Sequence, residues 1–179
     1  MTRTDSGLRR WIWTLPAVWL VHAFEEWNQL DWYRQHWTNA EELTDAGVRT
    51  WLLAMGVLGF IWTFAATRIR SDRWAIGLVL LFFVTQGFAN TLQHLYWVWL
   101  LEAWSPGTAT ALALVMPAIV WTSIRVLREG LVPRWYVALL YATAVPAMIV
   151  TVQMGNEMPP GGLPFYRAAG DLVEAVAGG

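Results

Sequence analysis

Five apolar runs divide this chain, at residues 11–30, 50–67, 74–101, 108–126 and 133–153. Each is close to or above the ~20 residues that an α-helix needs to cross ~30 Å of hydrocarbon. Runs of that length leave few folds open. In lipid every backbone N–H and C=O must be paired within the protein, so only helices and closed barrels span. A barrel strand would alternate apolar and polar residues, and none of these runs does. The expected fold class is therefore all-α: a polytopic membrane protein, a bundle of five transmembrane helices. Residues 1–153 make this one domain, and residues 154–179 make a tail.

The overall balance agrees. Of the 179 residues, 56% are hydrophobic and 14% charged, the composition of a membrane protein and not of a soluble domain. There is no cysteine, which removes disulfides, thiolate metal ligands and thiol catalysis. A net charge of -1 gives no reason to expect nucleic acid as a partner. The first run is too long and too rich in tryptophan for a cleaved leader, and it lacks a small-residue cleavage site.

Arginine sets the expected orientation. Arg3, Arg9 and Arg10 precede the first run; Arg68, Arg70 and Arg73 follow the second; Arg125, Arg128 and Arg134 follow the fourth. The other connections are poor in arginine or balance it with acid. This alternation fits five crossings with the N-terminus inside and the C-terminus outside, in a bacterial inner membrane. Tryptophans at both ends suit an interfacial belt: Trp11, Trp13, Trp74 and Trp135 inside, Trp32, Trp37, Trp51, Trp99 and Trp104 outside. The Ser105–Gly107 segment reads as a tight turn, and Pro117 and Pro146 as helix kinks. His36 reads as an interfacial side chain. MPPGGLP in the tail reads as loop, followed by a short amphipathic helix over 166–176 lying on the outer surface.

One stretch departs from the apolar pattern. HAFEE, His22 to Glu26, places a histidine and two carboxylates near the end of the first run. Positions i, i+3 and i+4 share a helix face, so His22, Glu25 and Glu26 point broadly together, with Gln29 two turns on. Ionisable groups at membrane depth are costly and mark functional sites. The third run carries a polar stripe at helical spacing: Gln86, Asn90, Gln93, His94 and Trp97. At 1.5 Å per residue from each inner end, His22 lies roughly 17 Å in, Glu26 roughly 22 Å, Asn90 roughly 24 Å and His94 roughly 30 Å. The two faces overlap in the outer half of the membrane.

No arginine lies at that depth, so the acids need another neutraliser. Protonation, an imidazolium from His22 or His94, or a divalent metal would serve. Imidazole with carboxylate suits Zn or non-haem Fe. His22, Glu25, Glu26 and His94 are the candidate metal ligands. Glu26 and Asn90 are the candidate catalytic groups, Glu26 moving protons and Asn90 orienting substrate or water. A metal-free acid–base site, and a polar cluster that only ties helices together, remain open beside the metal.

HAFEE together with ANTLQHLYWVWLLEAWSPGTATALALVMP resembles the HxxEE-motif family of small bacterial integral membrane proteins. The shared features fall on His22, Glu25 and Glu26, on Asn90 and His94, and on Pro106, Gly107 and Pro117, and they extend to about Leu140. The family implies a site without implying a reaction. The function expected is a membrane-embedded, metal-dependent enzyme, a hydrolase or an oxidoreductase, acting on a lipid or isoprenoid-like substrate. The alternatives are proton or cation transport, or lipid binding.

Overall fold

The computed structural model describes residues 6–158 and 162–178. Every regular element among them is helical. Four helices are long and apolar enough to cross a membrane: α4 (Asp45–Thr67), α5 (Asp72–Leu101), α6 (Thr108–Arg128) and α7 (Arg134–Met154). They match the second to fifth apolar runs within a few residues. The largest extension is at the start of α4, where Thr44 caps the helix by accepting the Gly47 N–H at 3.1 Å. These helices present an apolar exterior: Val57, Ile61, Phe64, Leu139, Ile149 and Val152 are each at least half exposed. A soluble protein rarely leaves that much apolar side chain in contact with water.

The first run is not one helix. It is built from α1 (Ser6–Trp11), α2 (Thr14–Glu25) and the start of α3 (Leu30–His36). Pro16 explains the first break, since it has no N–H for the Ile12 carbonyl and its ring crowds that oxygen. The Ile12 carbonyl instead accepts from Leu15 N at 3.3 Å. At 12 residues, α2 spans only about 18 Å. The two prolines expected to kink the later helices, Pro117 and Pro146, also follow irregular turns. Pro146 is preceded by a helix interruption at Thr143, and Pro117 by a π-turn over Ala111–Val115. A second π-turn, Val84–Phe88, interrupts α5. It includes Gly87, where an added Cβ would stand 2.6 Å from Ile119 Cδ1, so glycine permits the close approach of α5 and α6.

Buried side chains form two cores. One, at the arginine-rich end, joins Leu8, Leu15, Ile76, Leu80, Phe83 and Ile119. The other, at the opposite end, joins Leu30, Tyr33, Trp37, Leu43, Val48 and Trp97. Several buried threonines need no tertiary partner. Thr63, Thr91 and Thr122 each donate to the carbonyl four residues back, at 2.7–2.8 Å.

The tail packs against the bundle. The proline–glycine stretch expected as loop falls largely on residues 159–161, outside the described residues. Beyond it α8 (Leu163–Ala177) lies against α4 through facing glycines. A Cβ on Gly47 would stand 2.5 Å from the Tyr166 carbonyl oxygen, and one on Gly170 would stand 3.1 Å from Thr44 Oγ1. Of the tryptophans expected in a belt, Trp74, Trp99, Trp104 and Trp135 are 61–73% exposed. Trp37 is not among them. It is 3% exposed and stacks on Tyr33 with ring centroids 4.0 Å apart, because the 31–49 connection folds back into the bundle. Trp11 is also a packing residue, donating to Thr122 Oγ1 at 3.0 Å.

Candidate metal centre

The end of α2, the last turns of α5 and the start of α6 meet at the arginine-poor end of the bundle. His22, Glu26 and His94 are buried there at 1%, 7% and 2% exposure, and one ligating atom from each lies within 4.8 Å of the others. Glu26 Oε1 stands 3.1 Å from His94 Nε2 and 3.7 Å from His22 Nε2. The imidazole rings meet edge to face, 5.2 Å apart at their centroids. Along straight helices Glu26 falls nearer the depth of Asn90 than of His94; the break at Pro16 and the π-turn in α5 shift both registers.

The other nitrogen of each imidazole is held by a hydroxyl, one from the first turn of α6 and one from the α5–α6 connection. His22 Nδ1 lies 3.0 Å from Thr110 Oγ1, and the other groups that Thr110 Oγ1 meets, the Glu25 carboxylate and the Gly107 carbonyl, are acceptors. The single hydroxyl proton goes to one of those, so His22 Nδ1–H must donate to Thr110. His94 Nδ1 lies 2.9 Å from Ser105 Oγ. Ser105 Oγ lies 2.8 Å from Thr108 Oγ1, whose proton goes to the Ser105 carbonyl at 2.7 Å. The same logic makes His94 Nδ1 a donor. Both rings therefore carry a hydrogen on Nδ1 and turn Nε2 towards Glu26, as a bare lone pair wherever the ring is neutral. Both Nε2 atoms are buried without a hydrogen-bond partner.

With both rings neutral, two Nε2 lone pairs and a carboxylate oxygen converge within 4.8 Å of one another. Two ligand atoms about 2.1 Å from one ion, at a tetrahedral angle, stand about 3.4 Å apart. The observed 3.1 and 3.7 Å bracket that value. Ligating histidines usually give their outer N–H to an acceptor that fixes tautomer and ring orientation, most often a carboxylate, a backbone carbonyl or water; here hydroxyls take that place.

The two adjacent acids have separate places. On a helix they are 100° apart, to either side of His22. Glu26 turns into the bundle, and Glu25 turns to the N-terminus of α6. There Glu25 accepts the Thr110 and Ala109 N–H groups at 2.7 and 3.3 Å, and the Thr110 hydroxyl as well. A carboxylate suits the positive end of a helix dipole. Glu25, expected among the ligands, is thereby one hydroxyl removed from His22 and outside the convergent group. Gly107 closes the turn with φ +88°, a region natural to glycine. Its missing Cβ matters: a methyl there would stand 2.8 Å from Glu26 Cγ, Glu26 Oε1 and His22 Cε1 alike.

Beside the group lies a cavity of about 490 Å³ whose wall includes His22, Glu26 and Asn90. The Asn90 Oδ1 is buried and unpaired. Gln93, also on the wall, donates to Thr151 Oγ1 at 2.8 Å, and Gln86 is exposed at the rim. Trp37, Trp97 and Tyr166 supply aromatic wall. Tyr33 and Tyr166 pair through their hydroxyls at 3.3 Å, and burial pushes both phenols up from the ordinary tyrosine value. His36 takes no part. Its Nδ1 meets the Trp32 carbonyl at 2.8 Å and its ring stacks on Trp32. The Ser105–Gly107 turn was legible in the sequence, but the parts that Ser105, Gly107, Thr108 and Thr110 play at the site were not. The signal was present in SPGTAT, where hydroxyls flank a turn next to a polar helix end, but nothing local aims them at histidines.

A family model described as a protein of unknown function with HXXEE motif matches residues 13–122. The chain belongs to that family. No curated protein and no solved structure matches it. The match ends short of the Leu140 expected from the motifs. It takes in the whole convergent group with its supporting turn, and leaves α7 and α8, which complete the cavity wall, outside.

Proposed function

We propose that this HXXEE protein is a membrane-embedded enzyme with one divalent metal ion, Zn or non-haem Fe, held by His22, Glu26 and His94. The observation that carries the reading is the convergence of two imidazole Nε2 atoms and one carboxylate oxygen, all buried and within 4.8 Å of one another. Three protein ligands leave a coordination position for water or substrate, the arrangement of catalytic rather than structural sites. A Lewis-acidic ion there supports hydrolysis, and a redox-active one supports oxidation. The cavity beside it takes the substrate, a lipid or isoprenoid-like molecule, within the 300–1,000 Å³ range of small-molecule sites. Asn90 orients substrate or water from the cavity wall. Glu25 acts through Thr110 to hold the His22 tautomer.

The membrane topology belongs to the same proposal. α1 and α2 together make a fifth, proline-broken crossing, with the N-terminus inside, the C-terminus outside and the metal centre in the outer half. Reporter fusions at both termini and at the 68–73 connection test this arrangement; an external N-terminus would overturn it.

Elemental analysis of detergent-solubilised protein from metal-replete cells, purified without chelator, tests the metal. About one equivalent is expected in the wild type and a small fraction of that in His22→Ala, Glu26→Gln and His94→Ala. A metal-free wild type sinks the reading. The 3.1 Å approach of His94 Nε2 to Glu26 Oε1 also suits a hydrogen-bonded imidazolium–carboxylate pair, and so a second reading as a metal-free acid–base or proton-conducting site. Proton flux in liposomes that Glu26→Gln abolishes would favour that reading.

A further inference from the structure

We propose that the cavity opens sideways into the bilayer through a mouth between α4 and α7, and that a membrane-dissolved amphiphile enters there, Gln86 receiving its polar end. The inference rests on the cavity being the substrate site and adds the route by which the substrate reaches it.

The first observation is where the wall is open. At the arginine-poor end the cavity is roofed by Trp37 and Met158, 3% and 2% exposed. Asn39 ties this roof together, accepting the Met158 N–H at 2.8 Å and donating to the Met158 carbonyl at 3.2 Å. Among the described residues, the exposed members of the wall are Gln86 and Thr143, and Met55 is half-buried. All three sit at the middle of their helices. Met55 is the eleventh of 23 residues in α4, Gln86 the fifteenth of 30 in α5, and Thr143 the tenth of 21 in α7. The midpoint of a spanning helix lies near the middle of the hydrocarbon, whichever way the bundle faces. α4 packs on α2, α5 and α8, and α7 packs on α5, but α4 and α7 share no packed face. They flank the opening, with α5 behind it.

The second observation is the chemistry of that opening. Gln86 lies in the Val84–Phe88 π-turn, a local irregularity frequent at functional sites, and Thr143 lies at the interruption of α7. The Thr85 and Thr143 hydroxyls are satisfied within their own helices, donating to the Leu81 and Leu140 carbonyls at 2.6 and 2.5 Å. The Gln86 amide has no hydrogen-bond partner among the described residues. At hydrocarbon depth an unpaired amide is costly. It offers a donor and an acceptor together, the complement of a hydroxyl, carbonyl or amide on a lipid-soluble molecule. The polar face of α5 continues inward from it, since Asn90 is one turn on and lines the cavity with Glu26.

The chain has no cysteine, so a single introduced cysteine carries a single spin label. Labels on Gln86→Cys and Thr143→Cys, in full-length protein in phosphatidylcholine nanodiscs, are expected to collide freely with oxygen. They should collide at least about fivefold less with nickel ethylenediaminediacetate than a label on Glu41→Cys, in the exposed 31–49 connection. Nickel collision equal to that of Glu41→Cys at both positions would overturn the proposal, because the mouth would then face water. The second measurement uses farnesol bearing a diazirine, added to the same nanodiscs with EDTA present and illuminated, the adducts being located by mass spectrometry. Adducts on lipid-facing Val57 and Ile61 give the reference yield, and adducts on Leu52 and Trp97 report the cavity. Gln86→Trp and Thr143→Trp, which fill the mouth from two different helices, should each lower the cavity adducts at least about fivefold. Leu81→Trp, exposed on α5 and off the cavity wall, should leave them unchanged. Gln86→Leu should lower them about three- to tenfold, the range of one neutral hydrogen bond. Cavity adducts undiminished in both mouth-filling variants would overturn lateral entry while leaving the cavity as a binding site. A wild type labelled at Val57 and Ile61 but not in the cavity would overturn both, and the chelated sample keeps either result independent of the metal.

Discussion

Gly107→Ala separates the site from the fold more cleanly than removal of a ligand does. Gly107 sits at φ +88°, so alanine there costs about 1–2 kcal/mol in backbone strain. The second effect is steric and local. The added methyl would stand 2.8 Å from Glu26 Cγ, Glu26 Oε1 and His22 Cε1, where ordinary van der Waals contact begins at 3.4 Å. The two ligand side chains must therefore retreat by about 0.6 Å, and metal sites tolerate about 0.2 Å in ligand distance. Gly130→Ala is the control: φ is +65° and nothing lies within 4 Å of its added Cβ, so it carries strain of the same kind without the collision. The assay is zinc affinity by competition with a chromophoric chelator, alongside thermal unfolding in detergent. Both variants should lose thermal stability through strain, and Gly107→Ala somewhat more through the collision. Only Gly107→Ala should lose zinc affinity, by at least ~100-fold, as expected when ligands are misplaced by more than their tolerance. Zinc affinity in Gly107→Ala within twofold of Gly130→Ala would refute the placement of this turn against the ligands.

The supporting hydroxyls and the tail make further predictions. Thr110→Val and Ser105→Ala each remove the acceptor of a histidine Nδ1–H, and each should lower metal affinity about 10- to 100-fold; the same competition assay decides, and parity with wild type would remove them from the centre. Glu25→Gln should weaken the metal by less than Glu26→Gln, because Glu25 reaches His22 only through Thr110; equal loss in the two variants would count against their separate roles. Gly47→Ala would drive a methyl to 2.5 Å from the Tyr166 carbonyl oxygen, an overpacking cost of about 1–3 kcal/mol, seen as a lower melting temperature and earlier protease cleavage of α8. Burial raises the Tyr33 and Tyr166 phenols, so both stay protonated in the fold past the ~10 of an unfolded tyrosine. Their contribution to stability is complete below pH ~10 and is lost as pH rises above it. Denaturation followed from pH 9 to 11.5 should show that decline, smaller in Tyr33→Phe and Tyr166→Phe; identical curves would contradict it.

Hydrophobic run length placed α4 to α7 in the sequence because a helix in lipid needs only local information: its own apolar length and its own hydrogen bonds. The polar positions His22, Glu26, Asn90 and His94 were legible for the same reason, since each breaks an otherwise apolar face. Proline offsets are local too, yet their outcomes differ. Pro16 separates α1 from α2, Pro117 follows a π-turn and Pro146 an interruption, and which adjustment occurs depends on what packs around the freed carbonyl. What the chain alone left open was the division of labour between adjacent acids. Glu25 and Glu26 are chemically identical and share nearly the same depth, and only the arrival of the α6 N-terminus on one side draws Glu25 away from the ligands. The tautomers of His22 and His94 were likewise out of reach, because they follow from hydroxyls 83 to 88 residues from HAFEE or within a turn that reads locally as a simple connection. The sequence by itself determined which side chains would be costly in a membrane. Tertiary structure decided which of them face one another, because convergence depends on how separate helices cross and no residue pattern within one helix carries that distance.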